Sequence, residues 1–387
     1  MEAASGSATV AERADAPARP RIVSVSVRDF RSYERGRLEL GDRLTVIVGP
    51  NGAGKTNLLE AIYCGCTGRS CRASQEREIV RFGATSTRVA VCVLAADGEH
   101  ELAVAFAPGE PKRLLIDGAP VDTLLEAAVR PLLIVFLPDR LELIKGPPAV
   151  RRAHLDQLVA ALWPARAVTR RAYAQALAQR NALIARIRSQ GRGHDALEAW
   201  NLQLARHGIA LMSDRAAAVE AISDGVAWNA AELGLDGTAA LRYRPRSQAE
   251  SADQLAAELA ARTASDLERG FTGHGPHRDE LALLHDGREL RVYGSQGQQR
   301  LALLALLLSE REAAGRLRGD LPVLLLDDVM SELDRARRHA LAGRLLDEGG
   351  QAVITASESG HVPGADGRDV TVVEVSSAGT VRAHGGG

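Results

Sequence analysis

The stretch Gly49-Pro50-Asn51-Gly52-Ala53-Gly54-Lys55-Thr56 has the spacing G-x-x-x-x-G-K-[ST], and it limits what this chain can fold into more than any other feature. That spacing is a phosphate-binding loop, and the loop works only between a strand and a helix. Both are in place. Leu44 to Val48 is a short β-branched apolar run that reads as a buried strand, and Asn57 to Ile62 has helical apolar spacing. The glycines let backbone N–H groups approach an anion closely. The helix that follows adds its positive N-terminal end. Lys55 offers a compact cation to the outer phosphates of ATP, and the Thr56 hydroxyl is a ligand for Mg²⁺. The chain has 48 lysines and arginines, yet its lysines are only Lys55, Lys112 and Lys145. A lysine kept at this position fits a need for a point charge rather than a planar fork.

Two later stretches extend the chemistry. Pro322 to Asp328 is an apolar strand ending in two carboxylates. Asp327 is expected to hold Mg²⁺ together with Thr56, and Asp328 to polarise the attacking water. Gly294-Ser295-Gln296-Gly297-Gln298-Gln299-Arg300 leads straight into the apolar helix Leu301 to Leu308. Ser295 there reads as an N-cap, which makes a second anion-binding helix start in one chain.

Around these motifs the chain divides by pattern. Strands are expected at Ile22 to Val27, Leu38 to Leu40, Val89 to Leu94, Glu101 to Phe106, Arg113 to Ile116 and Leu132 to Leu137. Asp97-Gly98, Pro108-Gly109 and Asp117-Gly118 punctuate them as turns, so a meander-like antiparallel group follows the phosphate loop. From Val150 to about Ala231 the composition turns to Ala, Leu, Arg and Gln with helical spacing, broken at Trp163-Pro164 and Gln190 to Gly193. A further helix runs from about Ala252 to Glu268, and strands return at Glu280 to His285 and Glu289 to Val292. The fold class is therefore α/β: a phosphate-loop unit with an antiparallel β group at residues 21–148 and 271–387, plus an all-helical insertion lobe at 149–270. Residues 1–20 read as a disordered leader, lacking the apolar core of a secretory signal.

Bulk properties exclude several classes. The longest apolar run, Leu301 to Leu308, is far short of the roughly 20 residues that span a bilayer, so a cytoplasmic protein with no membrane contact is expected. Of four cysteines, Cys64 and Cys66 are too close on a helix to share an ion, and buried thiols are expected rather than zinc. The H-x-x-H pair His274 and His277 reads as a structural turn. A net charge of −1 gives no global attraction to nucleic acid. Nine arginines at 151, 152, 166, 170, 171, 180, 186, 188 and 192 make the early insertion basic, as a solvated helical face or as a nucleic-acid-facing surface.

Phosphate loop, insertion, Ser-x-Gly-Gln helix start and acid strand, in that order, resemble the ATP-binding-cassette ATPases. In that family the signature of one subunit caps the γ-phosphate held by the other, so Ser295, Gln296, Gly297 and Gln298 are implied to act across a dimer. The segment Ser331 to Asp334 resembles the loop that crosses that interface. Val27 to Ser32 narrows the likeness to the chromosome-maintenance and repair branch. Leu137 to Asp156, Gly273 to Leu281, Ser295 to Arg300 and Leu324 to Asp334 resemble the RecF family of bacterial recombination mediators. The resemblance implies that residues 21–148 and 271–387 form an ABC-type ATPase head with a mixed sheet core and an antiparallel β subdomain, and that the chain is an ATP-dependent DNA-binding homodimer with slow, DNA-dependent ATP hydrolysis. It implies single- and double-stranded DNA at gaps as substrate, other recombination mediators as partners, and roles in DNA replication and SOS induction. The alternative is the head of another such system, SMC-like or a transporter ATPase. A transporter would have glutamine at Asp139, glutamate at Asp328 and histidine at Thr355, and this chain has none of them.

Overall fold

The computed structural model describes residues 20–73, 75–137, 141–376 and 381–384. The leader expected at residues 1–20 falls almost wholly outside them, and so does Asp139.

In chain order, β1 (Arg21–Phe30), β2 (Tyr33–Glu39) and β3 (Leu44–Val48) precede α1 (Lys55–Thr67). Next come β4 (Thr87–Ala95), β5 (Gly98–Phe106), β6 (Arg113–Ile116), β7 (Ala119–Val121) and β8 (Leu133–Phe136). The helical stretch holds α2 (Glu142–Lys145), α3 (Pro148–Leu162), α4 (Ala167–Gln190) and α5 (Leu197–Glu232). Then follow β9 (Ala239–Arg244), α6 (Ala252–Ala261), α7 (Thr263–Arg269), β10 (Glu280–His285), β11 (Arg288–Glu289) and α8 (Leu290–Tyr293). The chain closes with α9 (Gln296–Arg318), β12 (Val323–Leu326), α10 (Arg335–Asp347), β13 (Ala352–Ala356), β14 (Val370–Val375) and β15 (Val381–His384).

The central sheet has the order β15-β14-β3-β13-β12-β8, parallel except for the β14–β15 pair. β3, β12 and β13 are buried along their whole length, which is why they read as continuous apolar runs rather than alternating ones. A second sheet, β2-β1-β4-β5-β6-β7, is antiparallel throughout. Its β4 alternates, with Val89, Val91 and Val93 turned to the core. α1 lies between the two sheets and shares that core through Leu58, Leu59 and Ile62. On the other face of the central sheet, α9 buries Leu301 to Leu308 against α3, α5 and the strands.

Two expectations needed revision. The insertion is helical except for β9, which pairs antiparallel with β10 from Ala239↔His285 to Arg244↔Glu280. Its sequence, AALRYR, has no β-branched residue, so the strand exists because β10 offers an edge. In Glu289 to Val292 only Glu289 is extended. From Leu290 the backbone makes one helical turn, with Gly294 N–H bonded to Leu290 O at 3.0 Å, Leu290 buried and Val292 exposed. α5 joins two cores, for Ala218 to Ala230 lie in the α9 core and Leu204, Ala205 and Leu211 in a smaller one with α4 and α6. At 24 and 36 residues, α4 and α5 are too short for a long coiled-coil arm.

Candidate nucleotide site

The parallel strands β3, β12 and β13 end side by side, and the loops after them form the site. β3 delivers the phosphate loop. A Cβ at Gly49 would fall 2.3 Å from the Val375 carbonyl oxygen, and one at Gly54 2.7 Å from the Tyr33 hydroxyl. Gly54 is also the N-cap of α1, at φ 101, a left-handed conformation that costs glycine little. Pro50, Asn51 and Gly52 are exposed along the loop, with Ala53 buried behind them. Lys55 folds back over it, its ammonium donating to Gly49 O at 2.7 Å and Pro50 O at 3.1 Å. The cation therefore sits at the mouth of the anion cradle.

Thr56 and Asp327, 271 residues apart, come together here. The Thr56 hydroxyl donates to the Asp327 carboxylate at 2.9 and 2.8 Å. From β13, the Thr355 hydroxyl donates to Asp327 Oδ1 at 2.7 Å and accepts the Asp328 N–H at 2.9 Å. Asp327 is only 5% exposed, and among the described residues no Lys, Arg or His pairs with it. A buried carboxylate met only by hydroxyls is uncompensated, and with Thr56 it forms the hard-oxygen pair that suits Mg²⁺. Asp328 has φ 49, a strained conformation for a residue with a side chain. Its Oδ2 accepts the Ser331 hydroxyl at 2.9 Å, which aims the carboxylate.

The signature segment forms as expected and stands apart. Ser295 caps α9 by accepting the Gln298 N–H at 3.2 Å, while Gln298 Oε1 accepts the Ser295 N–H at 2.9 Å. This is a reciprocal capping box. Ser295, Gln296 and Gly297 are exposed, and among the described residues no hydrogen bond or ion pair joins 295–298 to 49–56. Gln299 is buried and anchors the segment, its amide donating to Leu290 O at 2.8 Å and Gly294 O at 3.1 Å. One turn into α9, Arg300 Nε lies 2.5 Å from Glu332 Oε2, an ion pair without hydrogen-bond alignment. Burial pushes the Glu332 carboxyl above its usual range, and Arg300 partly offsets this.

Sequence reasoning missed a second polar cluster beside the loop. Glu60 on α1 is fully buried and accepts Arg31 Nε at 2.9 Å and Nη2 at 2.6 Å, with the Ser70 hydroxyl donating to the same carboxylate. Asn57 donates to Ser32 Oγ at 2.9 Å, and Arg72 reaches Asn57 Oδ1 at 3.3 Å. The basic loop after α1 is thereby pinned against the helix that starts at Lys55.

Of the nine arginines of the early insertion, Arg151 and Arg180 are buried, Arg152 and Arg166 half-buried, and Arg170, Arg171, Arg186, Arg188 and Arg192 exposed. Arg180 is fully buried on Asp266, Asn201 and Thr272, each at 2.7 Å, and Arg151 is bidentate to Glu280 at 2.6 and 2.9 Å. Arg166, Arg170 and Arg171 pair with Asp214, Asp156 and Glu126. Arg152 donates to Asp279 O at 2.9 Å. Arg152, Arg186, Arg188 and Arg192 of the nine lack an acidic side-chain partner among the described residues. His274 and His277 share no site: one meets Glu258, the other the Tyr173 hydroxyl and Thr272 O. Cys64 and Cys66 are buried free thiols, and no group of three or more His, Cys, Asp or Glu among the described residues could hold a metal. Nor is any helix among them long and apolar enough to cross a membrane.

Known proteins share this arrangement. The AAA domain profile matches residues 24–98. The DNA replication and repair protein RecF of Myxococcus xanthus is 36% identical over 367 residues, covering 92% of this chain and 95% of that one. RecF of Anaeromyxobacter dehalogenans strain 2CP-C is 38% identical over 374 residues, covering 92% and 98%. A solved structure described as the recombination mediator protein RecF-ATP in the RecFOR pathway superimposes with TM-score 0.83 at 29% identity, covering 95% of this chain and 99% of that one. The Smc head domain of Pyrococcus furiosus, bound to the C-terminal domain of ScpA, superimposes with TM-score 0.58 at 19% identity, covering 95% and 96%, a likeness of fold.

Proposed function

This chain belongs to the RecF family of ATP-binding recombination and repair proteins, and on that premise we propose that two copies close on ATP to clamp DNA. The observation that carries the reading is the exposed, Ser295-capped start of α9, which meets nothing on its own phosphate loop. A helix start with free N–H groups and no anion of its own suits the γ-phosphate on a second copy. In each copy the N–H groups of 49–56 and the Lys55 ammonium hold the phosphates. Thr56 and Asp327 would hold Mg²⁺, which would supply charge neutralisation to the phosphates. Asp328, aimed by Ser331, accepts a proton from the attacking water. Its side chain is one methylene shorter than glutamate, which favours slow turnover and a switch over a pump. The partner's Ser295, Gln296, Gly297 and Gln298 cover the outer phosphate. DNA, single- or double-stranded, is held by the closed pair, and other recombination mediators load on it.

Sizing with and without ATP and Mg²⁺ tests this. The Asp328→Asn protein is expected to be trapped as an ATP-bound dimer. Lys55→Met is expected to abolish ATP-dependent pairing, and Ser295→Arg to bind ATP yet stay monomeric. Normal ATP-driven dimers of Ser295→Arg would remove the reading.

A further inference from the structure

The outer face of the antiparallel sheet carries a row of arginines that the nucleotide chemistry does not use. In register, Arg35 on β2 faces Arg28 on β1, and Arg28 faces Arg88 on β4. Arg88 faces Ala105 on β5, and Ala105 faces Arg113 on β6. Directly paired residues of an antiparallel sheet project to the same side. That side is away from the core, since the neighbours Val27, Val89, Val104 and Leu114 pack inward. All four arginines are exposed. At about 4.8 Å per strand, the row runs about 19 Å from Arg35 to Arg113, a span that a few successive phosphates of one nucleic-acid strand cover.

The acidic neighbours do not neutralise the row. Asp29 lies 3.9 Å from Arg28 and Glu110 3.8 Å from Arg113, both loose, and Arg35 has no acidic partner among the described residues. Glu101 holds Arg88 at 2.8 Å, with both side chains about half exposed. Such surface pairs contribute little and exchange readily for a phosphate.

Phe82 lies beside this row. It is 99% exposed, the most exposed large apolar side chain among the described residues. Its loop is not loose: the Arg81 N–H donates to Asp29 O at 2.8 Å, and Arg81 Nε donates to Asp29 Oδ1 at 2.8 Å, next to Arg28. Ala84 N–H bonds back to Arg81 O at 2.9 Å, which puts Phe82 at the apex of a tight turn. An exposed aromatic on an anchored turn beside a line of cations is the arrangement on which an unpaired base stacks while its backbone is tracked.

We propose that this face is a single-strand contact: Arg35, Arg28, Arg88 and Arg113 follow the phosphates, and Phe82 stacks on an unpaired base. It deepens the clamp reading by naming which DNA surface the head carries and where. A gap offers the fitting ligand, since duplex and unpaired strand meet there.

The test uses the full chain with ATP and Mg²⁺, a fluorescent 20-nucleotide single strand and a blunt duplex of equal length. Arg28→Glu combined with Arg35→Glu is expected to weaken single-strand binding at least tenfold. It should flatten the slope of log affinity against log salt by about 1.4, at about 0.7 for each phosphate no longer neutralised. Phe82→Ala is expected to weaken the single strand by about 5- to 150-fold, to leave the duplex unchanged, and to be rescued by Phe82→Trp. ATP binding and ATP-driven pairing should match the parent in every variant, which separates this face from the nucleotide site. Unchanged single-strand affinity in both variants would overturn the assignment and leave the clamp standing. Weaker binding of duplex and single strand alike in Phe82→Ala would overturn the stacking role. A parent that binds neither probe would overturn the clamp and this surface together.

Discussion

Thr355→Val is the most informative change at the nucleotide site, because it removes one hydroxyl and keeps the shape. That hydroxyl has two jobs: it donates to buried Asp327 Oδ1 at 2.7 Å and accepts the Asp328 N–H at 2.9 Å. The first is charge-assisted, and the second leaves a part-buried N–H without a partner. Together they are worth about 2–4 kcal/mol, treating the carboxylate bond as the larger share. Valine fills the same volume, so no cavity contributes. With an unfolding entropy of about 2.1 cal/mol/K per residue, a chain of 387 residues should melt about 2.5–5 °C lower. Thr355→Ser should restore most of that loss. ATP affinity should change little, since the phosphate loop is untouched, whereas single-turnover hydrolysis should slow as Asp328 loses its fixed position. Melting by calorimetry, ATP titration and single-turnover hydrolysis read the three effects. If Thr355→Val melts like the parent and hydrolyses at the parent rate, Thr355 does not organise the two acids.

Glu60→Gln should destabilise by about 3–5 kcal/mol, because it leaves the Arg31 guanidinium without its buried counter-charge; urea unfolding checks it, and a loss under 1 kcal/mol would show that water compensates Arg31. Burial pushes His277 down to about 4. The folded state thus binds fewer protons than the unfolded one between pH 6.5 and about 4. Stability from this group is full above pH 6.5 and falls with pH through that window by at most about 3 kcal/mol. Comparing the pH slope of unfolding in the parent and in His277→Gln isolates it, and equal slopes would refute it. Burial also pushes the Cys64 and Cys66 thiols up to about 12. In native protein both should label far more slowly than half-buried Cys92, and all four should label in denaturant.

Legibility in the sequence tracked the distance between partners. Strand, loop and helix at 44–67 were readable because each signal is local, and the same holds for the Ser295–Gln298 capping box and the acid-ended strand β12. The Thr56–Asp327–Thr355 contact joins three separate stretches, so Thr56 and Asp327 could be singled out from local motifs while Thr355 and the bonds among the three could not. The arginines at 151–192 show the limit most clearly. Composition alone could not separate a surface charge from an internal one, because the deciding partners Glu280 and Asp266 lie beyond the stretch. β9 was missed for a related reason, since its strand character is supplied by β10 rather than by its own residues. The arginine row across the second sheet was equally hidden, for it exists only once register aligns residues 28, 35, 88 and 113.

The acids and the signature helix are built as one unit. Asp327 and Asp328 end β12; Ser331, three residues on, bonds the Asp328 carboxylate; and Glu332, next in sequence, meets Arg300 one turn into α9. α9 in turn is fixed along its length by the apolar core from Leu301 to Leu308. A shift of Asp328 on binding nucleotide therefore has a short covalent and ionic route to the helix start that a second copy would meet. The same route runs backward, so in the proposed clamp a partner docking on Ser295 would press on Asp328. Such reciprocity is required of the binding free energies at two coupled sites. In the proposed clamp, ATP affinity and pairing affinity would therefore rise together, through Asp328, Ser331, Glu332 and Arg300.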